Sequence, residues 1–380
     1  MAVLWSLSLC HLLNDTMQSL LPAIYPVLQV NYALTFTQIG VLHFAFQCTA
    51  ALLQPVVGHI TDKRTTFRLL PIGMGLSLIG LLLLAYATSY PALILAAMGI
   101  GLGSAIFHPD ASRFARAASG GRYGFAQSVF QVGGNAGTAI GPLLAAYIVL
   151  PFGQGSIVWF SALAFLGMIV LWNVGNWAQT RHRARAAAGR VVAAAASMPQ
   201  RQVMMVVGLL ALLVFTKHVY IVGLSSFYTF YLIETFGVSV RTAQLLLFVF
   251  LAANALGVLV GGPIGDRIGR KAVIWVSILG ILPFTLALPD VGLVPTAVLT
   301  FIIGVVSASS FPPVIVYAQQ LVPGRVGMIS GLFFGFAFGI AGIGAAVLGV
   351  LADWKSIGWV FQVLAFLPAD RDLPGAQRPA

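Results

Sequence analysis

His11, Asn14, Asp15 and Gln18 recur at i, i+3, i+4 and i+7, which puts all four on one face of a helix. The run around them is otherwise mostly apolar. An ionisable group in the middle of a bilayer costs about 2.5–3.5 kcal/mol on insertion scales, so it needs a partner or a water-filled cavity. Two readings follow. The face is a cavity-lining site for protons or substrate, with Asp15 and His11 as proton carriers, or it is a polar seam between packed helices. His43 and Gln47 repeat the i, i+4 spacing in the next apolar run, and Gln127, Gln131, Asn135 and Thr138 share one face of a later one. With Asn14, these are candidates to line a binding cavity.

Lys217 and His218 lie deep in another apolar run, ahead of Tyr220, Tyr228 and Tyr231. Lys217 suits an anionic ligand, and equally an ion pair with Asp15. The tyrosines read as packing or interface anchors. His108-Pro109-Asp110, followed by Arg113 and Arg116, closes a further run. Histidine titrates near neutral pH, and an adjacent carboxylate can share or relay the proton, so His108 and Asp110 join the proton candidates. A Pro-bent helix end with charges reaching the headgroups fits the same residues. Arg113, near the expected cavity mouth, can grip an anion through two hydrogen bonds.

The elements that must position these groups are long and apolar. Of 380 residues, 59% are hydrophobic and 8% charged, and the mean hydropathy is +0.97. That charge cannot cover a soluble surface of this size. The runs are too long and continuous for a transmembrane barrel. Helical spans of roughly 20 apolar residues are expected near 3–29, 36–60, 69–88, 91–111, 123–150, 154–178, 204–234, 241–265, 272–290, 293–318 and 326–351. The first, with Asn14 and Asp15 inside it and no basic segment before it, reads as a retained helix rather than a cleaved signal. After Lys355 the apolar run is only 357–368, so a twelfth span is half missing.

Charge orders the topology. Lys63, Arg64, Arg68, Arg113, Arg116, Arg122, Arg181, Arg183, Arg185, Arg190, Arg201, Arg267, Arg270, Lys271 and Arg325 fall in one set of connections, and only Arg241 and Lys355 in the other. The positive-inside rule places the first set and the N-terminus in the cytoplasm. The net charge of +11 therefore reads as membrane orientation, not nucleic-acid binding. Cys10 and Cys48 offer no disulfide framework or zinc spacing. No phosphate-binding loop supports an ATP-driven pump, and no nucleophile–base or metal arrangement supports an enzyme.

A loop motif occurs twice, 204 residues apart: Gly58-His-Ile-Thr-Asp62-Lys63-Arg64, and Gly262-Pro-Ile-Gly-Asp266-Arg267-Ile-Gly-Arg270-Lys271. His108-Pro109 and Phe311-Pro312, Gly121-Arg122 and Gly324-Arg325, and Gly141 and Gly344 repeat at an offset of 203. Both loop copies lie on the same expected side, which is the mark of a parallel duplication of six-helix units. Asp62 and Asp266 either pair with arginines of neighbouring loops to latch a closed state or serve topology alone. The division expected is an N-terminal bundle over 1–178, a cytoplasmic linker over 179–202, a C-terminal bundle over 203–368 with an incomplete last helix, and a polar tail over 369–380.

These motifs resemble the major facilitator superfamily. Gly262 to Lys271 matches its loop signature in full, Gly58 to Arg64 in part, and Gly137-x-x-x-Gly141-Pro142 resembles its helix 5 antiporter motif. His11 to Asp15, Gln54 to Gly58, Phe107 to Pro109, Gln127 to Asn135, Tyr228 to Leu232 and Gly327 to Gly339 resemble a bacterial drug-exporting subgroup over 6–368. The resemblance implies an all-α membrane bundle of two six-helix-type halves, here with helix 12 truncated, in the bacterial inner membrane. It implies efflux of a small anionic drug, a phosphonate antibiotic, driven by proton entry without a cofactor. Expected partners are the lipid bilayer, protons and the drug, with the chain a monomer. Gly58, Asp62, Gly262, Asp266, Arg267 and Arg270 are the expected gating residues. Two further functions fit the residues: an uptake permease for organic anions, and a truncated, non-transporting membrane binder or sensor.

Overall fold

The computed structural model describes the backbone of residues 1–63, 66–187, 199–268 and 270–366, without the side chains of 182–187, 215–216, 219, 262–263, 265–268, 270–271, 312–313, 337, 340–341 and 365–366. The helices are α1 (Ala2–Ala23), α2 (Tyr25–Tyr32), α3 (Phe36–Lys63), α4 (Leu69–Tyr86), α5 (Tyr90–Ala118), α6 (Tyr123–Leu144), α7 (Leu150–Phe152), α8 (Ser161–Ala187), α9 (Gln200–Phe236), α10 (Val240–Ile268), α11 (Arg270–Leu279), α12 (Leu282–Ala287), α13 (Leu293–Ala308), α14 (Phe311–Leu321), α15 (Val326–Trp354) and α16 (Ile357–Phe366). No strand occurs among the described residues.

The long helices α3, α4, α5, α8, α9, α10 and α15 each run unbroken, α3 and α5 through an internal proline. Proline and glycine interrupt other expected spans. The first expected span divides at Ile24, between Pro22 and Pro26, and α2 ends on Ala33 in the left-handed region at φ 50°. Downstream of Pro142 the helix loosens into a π turn over Ala145–Val149, a common response to a lost backbone donor. The tenth expected span breaks between α13 and α14. Its counterpart α5 stays continuous through the single Pro109, whereas Pro312-Pro313 removes two successive donors.

Seven stretches among the described residues are helical, long and apolar enough to cross a membrane. α1, with its inward polar face, is not one of them. Trp5, Leu52, Leu83, Phe165, Val294 and Trp354 are exposed on the outer surface, an apolar girdle that hydrocarbon solvates and water does not. α8 runs into the stretch expected as a linker; residues 188–198, like the 369–380 tail, lie outside the described residues. α16 has 10 residues, about 15 Å at 1.5 Å per residue, half of a hydrocarbon core. Its Phe361 nonetheless stacks on Tyr231 with ring centroids 4.1 Å apart, and lies 6.5 Å from the Tyr228 ring. Tyr228 and Tyr231 of α9 therefore pack against α16.

The glycine stripes mark the closest helix contacts. A Cβ on Gly133, Gly137 or Gly141 of α6 would collide with Ser8, Leu12 or Ser19 of α1. On α15, Gly331 and Gly335 press on the α3 backbone at Gln54 and Ala51, and Gly339 meets the Ala51 Cβ at 3.0 Å. Gly58 meets the Gly327 carbonyl so closely that any added Cβ overlaps backbone on both sides. Gly58→Val is expected to part α3 from α15 at a cost of about 1–3 kcal/mol, seen as a lower melting temperature and as solvent access to a cysteine placed at Met328.

Candidate functional site

Helices from both halves enclose a cavity of about 270 Å³. α1 contributes His11, Asp15 and Gln18, α3 His43 and Gln47, α5 His108, and α6 Gln131 and Asn135. From the other half, α9 gives Lys217 and His218, α10 Asn254, and α15 Phe334 and Phe338. Eleven of the sequence-nominated residues, Thr138 of α6 among them, thus converge on one space.

Asp15 is its electrostatic centre. His11 Nε2 lies 3.2 Å from one carboxylate oxygen and His108 Nε2 lies 3.4 Å from the other. The amides of Asn14 and Gln18 donate to the same carboxylate at 3.0 and 3.4 Å. Both histidine rings are held from behind. His11 Nδ1 sits 2.8 Å from the Phe130 carbonyl, and His108 Nδ1 sits 3.1 Å from the Ser104 carbonyl. A carbonyl oxygen only accepts, so each Nδ1 carries its hydrogen. Neutral rings would then aim two Nε2 lone pairs at a carboxylate. One proton on either Nε2 converts that repulsion into a charge-assisted hydrogen bond. Phe130 stacks on His11 at 4.1 Å, and Phe334 and Phe338 pack on His108 at 5.2 and 5.3 Å. Asp15 is the accessible member, its side chain 16% exposed against 3% for His11 and 1% for His108.

Lys217 is the second pole. Its Nζ donates to Ser277 Oγ at 2.9 Å and Ser310 Oγ at 2.6 Å. No carboxylate lies within ion-pair distance among the described residues, so of the two readings of Lys217 the ion pair with Asp15 is not formed. Each charge is solvated by its own neighbours: histidines for Asp15, hydroxyls for Lys217. His218 donates through Nδ1 to the Val214 carbonyl at 3.1 Å. His43 bonds Tyr25 Oη at 2.9 Å and Gln47 Nε2 at 3.2 Å. Gln131 Oε1, Ser226 Oγ and Asn254 Oδ1 are buried in the cavity wall with no partner among the described residues, which leaves acceptors for a ligand.

Three nominated residues stand elsewhere. Arg113 bonds Asp110 through Nε at 3.0 Å and also through Nη2, so it is spent on a neighbour one turn away rather than facing the cavity. Asp110 pairs with that arginine, while the adjacent His108 turns to Asp15. Gln127 accepts from Ser112 Oγ at 3.1 Å in a buried network with Ser330, Gln319 and Arg116 that joins the two halves at the end bearing the basic residues. At that same end, Asp62 accepts from the backbone N–H groups of Gly327 and Met328 at 3.0 and 2.8 Å. Among the described residues its partner is the N-terminus of α15, where unsatisfied amides and the helix dipole favour a carboxylate. The side chains of Gly262, Asp266, Arg267 and Arg270 lie outside the described residues. At the opposite end, Asp353 of α15 accepts from Phe36 N, Thr37 N and Thr37 Oγ1 of α3 at 2.9, 2.7 and 2.6 Å. Replacing Asp62 by Ala is expected to cost about 1 kcal/mol of end-to-end closure, read as faster maleimide labelling of a cysteine at Val326 while expression holds.

Sequence reasoning missed Asn254, Ser277 and Ser310. Asn254 had a usable signal, being the one amide in the middle of an apolar run. The serines had none, since serine is common in membrane helices and only the fold brings these two to Lys217.

Two helical halves around a central, mainly apolar cavity that holds a few charged and polar groups define a multi-pass membrane transporter. The family model described as Major Facilitator Superfamily matches residues 7–230 and 205–369, and the chain belongs to that family. It is 53% identical over 367 residues to the fosmidomycin resistance protein of Escherichia coli (strain K12), covering 96% of this chain and 90% of that one. It is 40% identical over 368 residues to the uncharacterized MFS-type transporter YfnC of Bacillus subtilis (strain 168), with the same coverage. Among solved structures, a bacterial homolog of the human lysosomal transporter Spinster, inward-facing and occupied, superposes with a TM-score of 0.72 at 17% identity over 93% of this chain and 82% of that one. The nucleoside transporter NupG superposes with a TM-score of 0.67 at 14% identity, over 97% and 96%. These two share the fold.

Proposed function

We propose that the chain is a proton-coupled exporter of small organic anions, fosmidomycin or related anionic drugs, in the bacterial inner membrane. The carrying observation is the pairing, in one cavity, of a cation without a carboxylate partner and a His–Asp–His cluster built to take up a proton. Lys217 with Ser277 and Ser310 offers a small anion a charge and hydroxyls. Gln131 and Asn254 supply free acceptors for its polar groups. His11, Asp15 and His108 take the proton, and the altered charge of α1 biases the two-state rocking of the halves. The basic end of the bundle faces the cytoplasm, with the N-terminus. The two bundles over 1–178 and 203–368, the linker over 179–202 and the tail over 369–380 complete the organisation, and the gradient alone drives a monomer. The name of the 53% identical relative supports fosmidomycin as the first substrate to test.

Expression in a pump-deficient bacterial host should raise the inhibitory concentration of fosmidomycin, and a protonophore should restore drug accumulation. Unchanged susceptibility with verified membrane expression overturns the reading. Drug accumulation above the vector control would identify an uptake permease instead.

A further inference from the structure

Among the described residues, three ligand-bearing side chains meet at one point of the cavity wall. The nitrogen of His11, a carboxylate oxygen of Asp15 and the nitrogen of His108 all lie within 4.8 Å of one another. A zinc-class ion held tetrahedrally at 2.0–2.1 Å sets its ligand–ligand edges at about 3.3 Å. The two imidazole–carboxylate separations, 3.2 and 3.4 Å, have that length, each to a different oxygen of Asp15, so the carboxylate would hold the ion with both oxygens or turn one of them toward both rings. All three ligand atoms lie within 4.8 Å of one another, and side-chain rotation would close the remaining distance.

The surroundings match what such an ion requires. Metal-bound histidines donate their second ring N–H to a carbonyl or carboxylate, which fixes the tautomer and presents the other nitrogen. Both rings do so here, to Phe130 and Ser104. The carboxylate is itself oriented by the Asn14 and Gln18 amides. Two imidazoles and one carboxylate suit a borderline transition cation; calcium and magnesium prefer all-oxygen shells. Asp15 reaches the cavity while both histidines are buried, so the open side of the cluster faces the space a ligand would enter.

We propose that His11, Asp15 and His108 form a binding site for a borderline divalent cation of the zinc class, with its fourth coordination position open to the transport cavity. The site follows from ring geometry and does not rest on proton-coupled export. Cation and proton would compete for the same two nitrogen lone pairs, and a bound dication would offer an anionic oxygen a direct ligand position.

The test is cobalt titration of protein purified in detergent without a histidine tag and without any gradient. Cobalt(II) reports tetrahedral N/O coordination by visible ligand-field absorption. The expected result is one cobalt per chain, displaced by zinc and not by excess magnesium. Binding should weaken at least about tenfold in Asp15→Asn and in His108→Gln, and stay unchanged in His59→Gln, a histidine exposed on α3 outside the cavity. His108→Cys, which keeps a ligand, should add a sulfur-to-cobalt charge-transfer band, so the assignment survives a poorly folding deletion variant. Absence of a ligand-field band in the wild type, or equal binding in Asp15→Asn and His108→Gln, overturns the site. Either result leaves the transport assays to decide export separately.

Discussion

Asp15→Asn is expected to abolish gradient-driven export while the protein still reaches the membrane. Asparagine keeps the shape of the carboxylate and its hydrogen bond to Asn14, and removes the charge that both histidines face at 3.2 and 3.4 Å. Proton binding then loses its differential effect on the two end states, and a ligand without differential affinity shifts no equilibrium. A coupling free energy of 1–3 kcal/mol corresponds to about 5- to 150-fold, so gradient-driven accumulation in proteoliposomes should fall by up to about 100-fold. Counterflow exchange of substrate, which needs no proton, should persist. Normal drug resistance from Asp15→Asn cells would remove Asp15 from the proton site.

Lys217→Gln carries the second large effect. The ammonium is held by Ser277 and Ser310 and, among the described residues, by no carboxylate. Its removal leaves no other lysine or arginine on the cavity wall among the described residues. A charge-assisted hydrogen bond contributes about 1.5–3 kcal/mol, so the KM for an anionic substrate should rise about 10- to 100-fold. A neutral analogue of the same drug should lose far less, which separates recognition of charge from a packing defect. The alternative of Lys217 as a structural ion-pair partner of Asp15 predicts that Asp15→Asn with Lys217→Gln rescues Asp15→Asn. No rescue is expected, because each charge has its own set of partners.

Much of this site was legible from spacing. His11, Asn14, Asp15 and Gln18 share a face because 3.6 residues make a turn, and a bilayer forces such a face inward. The same rule brought His43, Gln47, Gln131 and Asn135 to the cavity. It over-reached at Gln127, which lies on the stripe one turn nearer the basic end, where Ser112 occupies it. Arg113 was readable in hindsight: Asp110 stands three residues before it, and i, i+3 opposite charges on a helix meet. Pairing between distant elements was not legible. Nothing in the spacing of His108 links it to Asp15, 93 positions earlier, because only the packing of α5 against α1 makes them neighbours. The gate partner of Asp62 was hidden for a related reason, since a backbone amide has no signature in side-chain identity. The paired prolines at 312 and 313 gave notice of the broken helix that the single Pro109 did not produce.

The bonds of Asp62 and Asp353 make α3 and α15 a mutual pair: each helix ends in a carboxylate that satisfies the first amides of the other. The glycines between them bring the two backbones into direct contact and leave no room for sliding. Parting the basic end frees two amides that Asp62 held; parting the far end frees two that Asp353 held. Because the penalties are of one kind and similar size, they nearly cancel when one opened form is compared with the other. The balance between the two forms is then left to small influences, such as a proton on Asp15 or an anion beside Lys217.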